Sequence, residues 1–172
     1  SFYYLMFNKS IIRSFLLLMI AASFHKSIIL VIPFYILVFV PLKILALVWV
    51  SMAIGYSLGL TEIIVRQLSN LANLSIYEDI TSYGTDNQSG RYHGFILSFF
   101  IYTLFWPLVF MIIHYIRFKG YDEKYQPVLK VLKIYMVLAM PYFIFGFGAF
   151  SNRYAFSALF FIPLLQFFLL IY

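Results

Sequence analysis

TEIIVRQLSNLANLSIYEDITSYGTDNQSGRYH (residues 61–93) is the one long run in the chain that apolar residues do not dominate. It holds four of the six acidic residues, Glu62, Glu78, Asp79 and Asp86, together with Arg66, Arg91 and His93. Everything before it, and almost everything after it, reads as membrane span. The whole chain is 64% hydrophobic and 10% charged, far outside the range of soluble domains. The fold class this implies is an all-α polytopic membrane protein. It is a single transmembrane domain over residues 1–172, with residues 61–93 as a polar outer loop.

Working outward from the loop, short polar breaks divide the apolar chain into about six transmembrane helices. The segments are residues 14–24, 28–40, 44–58, 94–116, 134–150 and 154–172. The first three are short against the roughly 20 residues that cross about 30 Å of hydrocarbon as α-helix. Residues 28–58 also read as one long helix kinked at Pro41. Two helices are preferred, because Pro41 and Lys43 make a natural turn. Residues 94–116 are the clearest span, with Pro107 as a kink site. Residues 117–133 form a basic connection. The chain starts at Ser1 on what looks like the end of a hydrophobic segment, so it is expected to be the later part of a longer protein.

Orientation follows from the cations. With residues 117–133 inside and strict alternation, the inside holds Lys9, Arg13, Lys43, Arg117, Lys119, Lys124, Lys130 and Lys133, and the outside Lys26, Arg66, Arg91 and Arg153. Eight against four obeys the positive-inside bias. The net charge of +6 is therefore read as membrane orientation, with no nucleic-acid partner. His25, the acidic loop and Arg153 then share the outer face. Within the loop, Leu60, Ile64, Leu68, Leu71 and Leu74 recur every three or four residues, opposite Glu62, Arg66, Asn70 and Asn73. That pattern predicts an amphipathic helix lying along the interface, before residues 82–90 turn to loop.

Few groups carry chemistry. Arg153 follows an aromatic, glycine-rich segment and opens the last span. It either snorkels toward headgroups or clamps an anion by two-pronged hydrogen bonds. Arg91, where the loop re-enters the membrane, has the same two readings. Arg66 and Glu62 form an i,i+4 pair, for which a plain surface ion pair is the simpler reading. His25, at an outer helix junction beside Lys26, is either a hydrogen-bonded structural histidine or a functional one that shares a face with the arginines. The three histidines lack ligand spacing, so no metal is expected, and no phosphate loop or nucleophile elbow is present. With no cysteine, thiolate chemistry is excluded. No cofactor is expected.

Ala21-Ala22-Ser23-Phe24-His25-Lys26-Ser27-Ile28-Ile29, followed by Pro33, resembles the "small-Ser-Phe-His-x-Ser-Ala" stretch of EpsG-type and Wzy-type polysaccharide polymerases. Gly90-Arg91-Tyr92, opening a span after a long loop, is similar to the Gly-x-Arg segment of bacterial O-antigen polymerases of that group. Asn152-Arg153-Tyr154, with Pro163 beyond it, resembles their "Arg-x-x-x-Tyr/Phe" segment. The resemblance implies a GT-C-like glycosyltransferase of the bacterial inner membrane. Such an enzyme joins undecaprenyl-diphosphate-linked repeat units at the outer face into O-antigen, capsular or exopolysaccharide chains. Its partners would be the lipid-linked oligosaccharide, the bilayer and a chain-length regulator protein. Arg153, Arg91 and His25 would be catalytic, with Arg66, Glu62, Asp86, His93 and Lys26 binding substrate. A flippase for the same lipid-linked oligosaccharide and a membrane O-acyltransferase using His25 or His93 are the alternatives.

Overall fold

The computed structural model describes residues 10–24, 26–82, 97–117, 126–148 and 151–171. Every described element is a helix. In chain order they are α1 (Ile11–Phe24), a 3-10 helix (Lys26–Phe39), α2 (Leu42–Ser57), α3 (Leu60–Leu71), α4 (Ile76–Ser82), α5 (Leu97–Arg117), α6 (Gln126–Phe145), α7 (Ser151–Leu159) and α8 (Ile162–Ile171).

Helix α6 is the centre. Every residue from Ile134 to Phe143 is buried, and the 3-10 helix, α2, α3, α5, α7 and α8 pack around it. The surrounding helices are apolar on their outer sides as well: Ile12 of α1 is 76% exposed, Ile36 of the 3-10 helix 68% and Leu47 of α2 68%. A bundle folded in water places polar residues there. An apolar interior inside an apolar exterior is the arrangement lipid permits. Lipid tails are as apolar as leucine, so close packing rather than water exclusion must hold such helices together. Small buried residues supply the close approach: Ser14 and Ala22 on α1, Ala53 on α2, and Ala155 and Ala158 on α7.

Contacts fix the helix directions. Trp49 packs edge-on against Phe143 at 5.2 Å, and the Tyr56 hydroxyl further along α2 donates to the Gly146 carbonyl at 2.9 Å. Advancing along α2 thus advances along α6, so the two are parallel. Phe99 meets Tyr142 at 5.4 Å, whereas Thr103, later in α5, accepts a hydrogen bond from Tyr135, earlier in α6. Those two helices are antiparallel. The carboxyl ends of α2 and α6 and the amino end of α5 therefore lie together. The Tyr35 hydroxyl bonds to Ser14, which a continuous helix would hold about 30 Å away. The chain must reverse between α1 and the 3-10 helix.

Several expectations need correction. Among the described residues, only α6 is long and apolar enough to cross a membrane by itself. Helices α2 and α3 pass the same test together, but they are bent by 87° at Leu58-Gly59. Helix length among the described residues does not by itself confirm six separate spans. The basic connection is shorter than expected, because α6 begins at Gln126 and carries Lys130 and Lys133 in its first turns. The last apolar segment breaks at Phe160-Phe161, just ahead of Pro163, whose ring would clash with the carbonyl one turn back in a continuous helix. Helix α5 runs on through Pro107. Proline has no N–H for the Thr103 carbonyl, and the Tyr135 hydroxyl fills that role at 2.9 Å.

Residues 28–58 divide into two helices as preferred, with Pro41 (φ −52°, ψ 141°) capping α2 in an extended conformation. The first of the two is 3-10 rather than α. Fourteen residues rise about 28 Å as 3-10 helix, against about 21 Å as α-helix, which stretches a short apolar segment toward bilayer thickness. Three of its exposed residues, Pro33, Ile36 and Phe39, fall at the three-residue period of that helix, while exposed Ile29 lies out of phase with them.

Candidate functional site

The site is built where α2 ends. Gly59 sits in the left-handed region (φ 72°), a conformation glycine adopts without penalty, and there the chain turns through 87°. Helix α3 consequently lies across the end of the bundle. It is amphipathic, but its apolar stripe faces away from the protein: Leu60, Ile63, Ile64, Leu68 and Leu71 are all exposed, Leu71 at 82%. Val65 and Ser69 are the residues it buries. A helix lying at right angles to the bundle with an outward apolar stripe has the form of an interfacial helix.

The expected single amphipathic element is in fact two helices. Asn73 takes a positive φ of 50°, a conformation asparagine tolerates better than most residues, and Leu74 lies beyond α3. The buried Ser69 hydroxyl closes the corner, donating to the Leu74 carbonyl at 2.6 Å and accepting from the Tyr77 N–H at 3.1 Å. Helix α4 follows, and together α3 and α4 form a roof.

Three polar side chains meet on this roof. Arg66 donates to Glu62 Oε1 at 3.1 Å and to the Tyr77 hydroxyl, and that hydroxyl donates to the same Glu62 oxygen at 3.0 Å. The Arg66 guanidinium carbon also lies 4.8 Å from the centre of the Tyr77 ring. The bond it donates to Tyr77, and then the charge of Glu62, hold Arg66 above its ordinary pKa, so it stays charged. Arg66 and Glu62 remain 53% and 38% exposed, which leaves donors and acceptors free for hydroxyl-rich ligands.

Beneath the roof lies the turn that ends α6. Four consecutive residues there each engage something different. Phe145 packs on Tyr154 of α7 at 6.0 Å, and Gly146 accepts the Tyr56 hydroxyl of α2. Phe147 stacks on Tyr77 at 6.0 Å with 26° between the rings. Gly148 lies so near Ile80 that a Cβ there would overlap Ile80 Cγ2 and stand 2.7 Å from its carbonyl oxygen. Helix α7, whose third residue is Arg153, begins just after this turn.

Of the residues singled out from sequence, Arg66 and Glu62 are brought together. Arg153 sits in the first turn of α7, and Lys26 opens the 3-10 helix. His25, Asp86, Arg91 and His93 lie outside the described residues. Sequence reading missed Tyr77, Ser69 and the Phe147-Gly148 pair. Tyr77 comes eleven residues after Arg66 and across a corner, so no helical period connects them. Gly148 offered a signal, as a glycine in an otherwise bulky aromatic run. Among the described residues, no group of three or more His, Asp or Glu side chains is placed to hold a metal.

None of the curated proteins and none of the solved structures compared with the chain matches it. The EpsG family model matches residues 1–172. The chain therefore belongs to the EpsG family, a family of membrane proteins associated with polysaccharide biosynthesis.

Proposed function

We propose that this chain is the catalytic membrane part of a polysaccharide polymerase. It would join undecaprenyl-diphosphate-linked repeat units at the outer face of a bacterial inner membrane, crossing that membrane about six times. The observation that carries this reading, beside family membership, is the convergence at one end of the bundle. The roof after α2, the start of α5 and the start of α7 with Arg153 all gather there. The interior of α6 from Ile134 to Phe145 contains no charged residue. That suits a reaction at the bundle end better than passage of a polar cargo through it.

In the reaction, a hydroxyl of an incoming lipid-linked unit attacks the anomeric carbon of the growing chain. The carbon–oxygen bond to the diphosphate breaks, and negative charge develops on that leaving group. Arg153 and Arg91 hold it, since guanidinium keeps its charge and offers paired donors in fixed geometry. His25 accepts the proton from the attacking hydroxyl. Arg66, Glu62, Asp86, His93 and Lys26 contact sugar hydroxyls of the incoming unit. These side chains then distinguish one sugar from another.

The test uses the full-length protein in its own membrane. Arg153→Ala and Arg91→Ala should each abolish polymer while single repeat units persist on the lipid. The rate loss is about 10²- to 10³-fold, as for loss of one donor to a developing oxyanion. Arg→Lys should rescue only partly, because lysine keeps charge without the fork. Normal polymer lengths from both alanine variants at normal abundance would leave headgroup snorkelling as the better account.

A further inference from the structure

We infer that Tyr77 and Ile80 are positioning residues for the polymerisation site. Through Phe147 and Gly148 they set where α7 begins, and so where Arg153 stands. The inference rests on the reading of Arg153 given above.

The roof and α7 share no long interface; the turn ending α6 is what connects them. Its four residues are held from three sides, by α7 at Phe145, by α2 at Gly146, and by α4 at Phe147 and Gly148. The α4 contact differs from the other two. Tyr56 and Tyr154 belong to helices packed directly against α6, whereas α4 belongs to the roof, outside the bundle. Tyr77 is itself fixed from both sides, with Phe147 stacked on its ring and Arg66 and Glu62 holding its hydroxyl. Ser69 fixes its backbone N–H. The ring therefore has little freedom, and Phe147 must follow it.

Gly148 makes the coupling steric. Where a Cβ would overlap Ile80, the roof and the turn touch with no slack, so displacement of one moves the other. Arg153 lies five residues beyond Gly148, with its neighbour Tyr154 already held against Phe145. A shift at this contact would be delivered to the first turn of α7. Reaction rates respond steeply to such shifts: an error of about 1 Å in position costs on the order of 10²-fold. Occupation of the roof by a sugar unit would, by the same contacts, be sensed at the arginine that holds the leaving group.

The experiment is a double-mutant cycle in the full-length protein, with membranes and purified lipid-linked repeat unit. Gly148→Ala should lower the rate at saturating substrate on the order of ten- to a hundredfold, with a smaller change in KM. Ile80→Ala removes Cγ2 and loosens the contact, so it should also lower the rate at saturating substrate, by less than Gly148→Ala does. Combined, they should cost less than the product of the two single losses, because the overlap with Cγ2 is gone and only the 2.7 Å approach to the Ile80 carbonyl oxygen remains. Two merely destabilising changes would instead add. Tyr77→Phe should retain most activity by keeping the ring between Phe147 and Arg66, and Tyr77→Leu should not. That second pair decides the matter if Gly148→Ala fails to accumulate. Full additivity of the two single losses in the double variant at equal abundance, or full activity in Tyr77→Leu, overturns the inference. Normal polymer from Arg153→Ala overturns the clamp and this inference with it. Normal polymer from Gly148→Ala and Tyr77→Leu beside an inactive Arg153→Ala overturns this inference alone.

Discussion

Helix α6 and the α3–α4 roof pack together at one end of the bundle, yet they are stabilised in opposite ways. Helix α6 buries ten consecutive residues, Ile134 to Phe143, and most of its contacts are apolar. The roof exposes five large aliphatic side chains on α3 and is held in shape by hydrogen bonds through Ser69, Tyr77, Glu62 and Arg66. From Ile134 to Phe143 of α6 most side chains are packing elements, so identity matters mainly by volume. On the roof a few polar atoms determine the shape, so identity matters by donor and acceptor. In a protein whose interior and surroundings are both apolar, the bundle ends have the most room for polar geometry, and the roof occupies one of them.

The comparison can be broken most directly by moving one charge between the two regions. Met136→Lys, at a fully buried position of α6, should abolish membrane-inserted protein. A lysine at a helix centre costs about 2.5–3.5 kcal/mol on insertion scales, before any loss of packing. Leu71→Lys, on the outward stripe of α3, should accumulate normally, because the side chain can reach water or headgroups. Abundance in the membrane fraction reads both. Equal loss from the two would mean that α3 is buried against something and is not an interfacial helix.

A smaller effect tests how α6 handles its rare polar contacts. Tyr135→Phe removes the donor that satisfies the Thr103 carbonyl left free by Pro107. Interhelical hydrogen bonds within membranes average about 0.6 kcal/mol, with a maximum near 1.7. A fall of a few degrees in the thermal midpoint of the detergent-solubilised protein is the expected outcome. Adding Pro107→Ala should restore it, since the new N–H can bond Thr103 from within α5. Further destabilisation in the double variant would show that the proline ring, not its missing donor, governs that contact.

Much of this architecture is legible in the sequence, and the failures have physical causes. Composition alone indicates a membrane bundle. Pro41 marks the division of residues 28–58, and the three- and four-residue leucine spacing marks α3. Hydropathy counts residues but not rise per residue, so the 3-10 geometry of Lys26–Phe39 has no signature beyond an unusually short apolar run. Periodicity likewise fails at corners. The Ser69 clamp and the Arg66–Tyr77 contact join residues on two helices related by the Asn73 turn, and neither helix signals the other. The i,i+4 pair of Arg66 with Glu62 was visible because it lies within one helix. Its third member was not.

The smallest predicted effect concerns that pair. Glu62 and Arg66 are half exposed, and ion pairs in such surroundings are screened by water and salt. Glu62→Gln keeps an oxygen to accept from Tyr77 and Arg66 while removing the charge. Abundance should therefore be unchanged, and polymer output should stay within about twofold of the parent, as expected for an exposed pair. Glu62→Ala removes the acceptor as well, and Tyr77 then loses one of the two side chains that hold its hydroxyl. Its effect should exceed that of Glu62→Gln and remain below that of Tyr77→Leu, which removes the ring stacked on Phe147. This ordering separates geometry from charge on the roof. If Glu62→Gln instead stopped polymerisation at normal abundance, the carboxylate would be needed as a charge. Glu62 would then belong with the reacting groups rather than with the side chains that hold the roof in place.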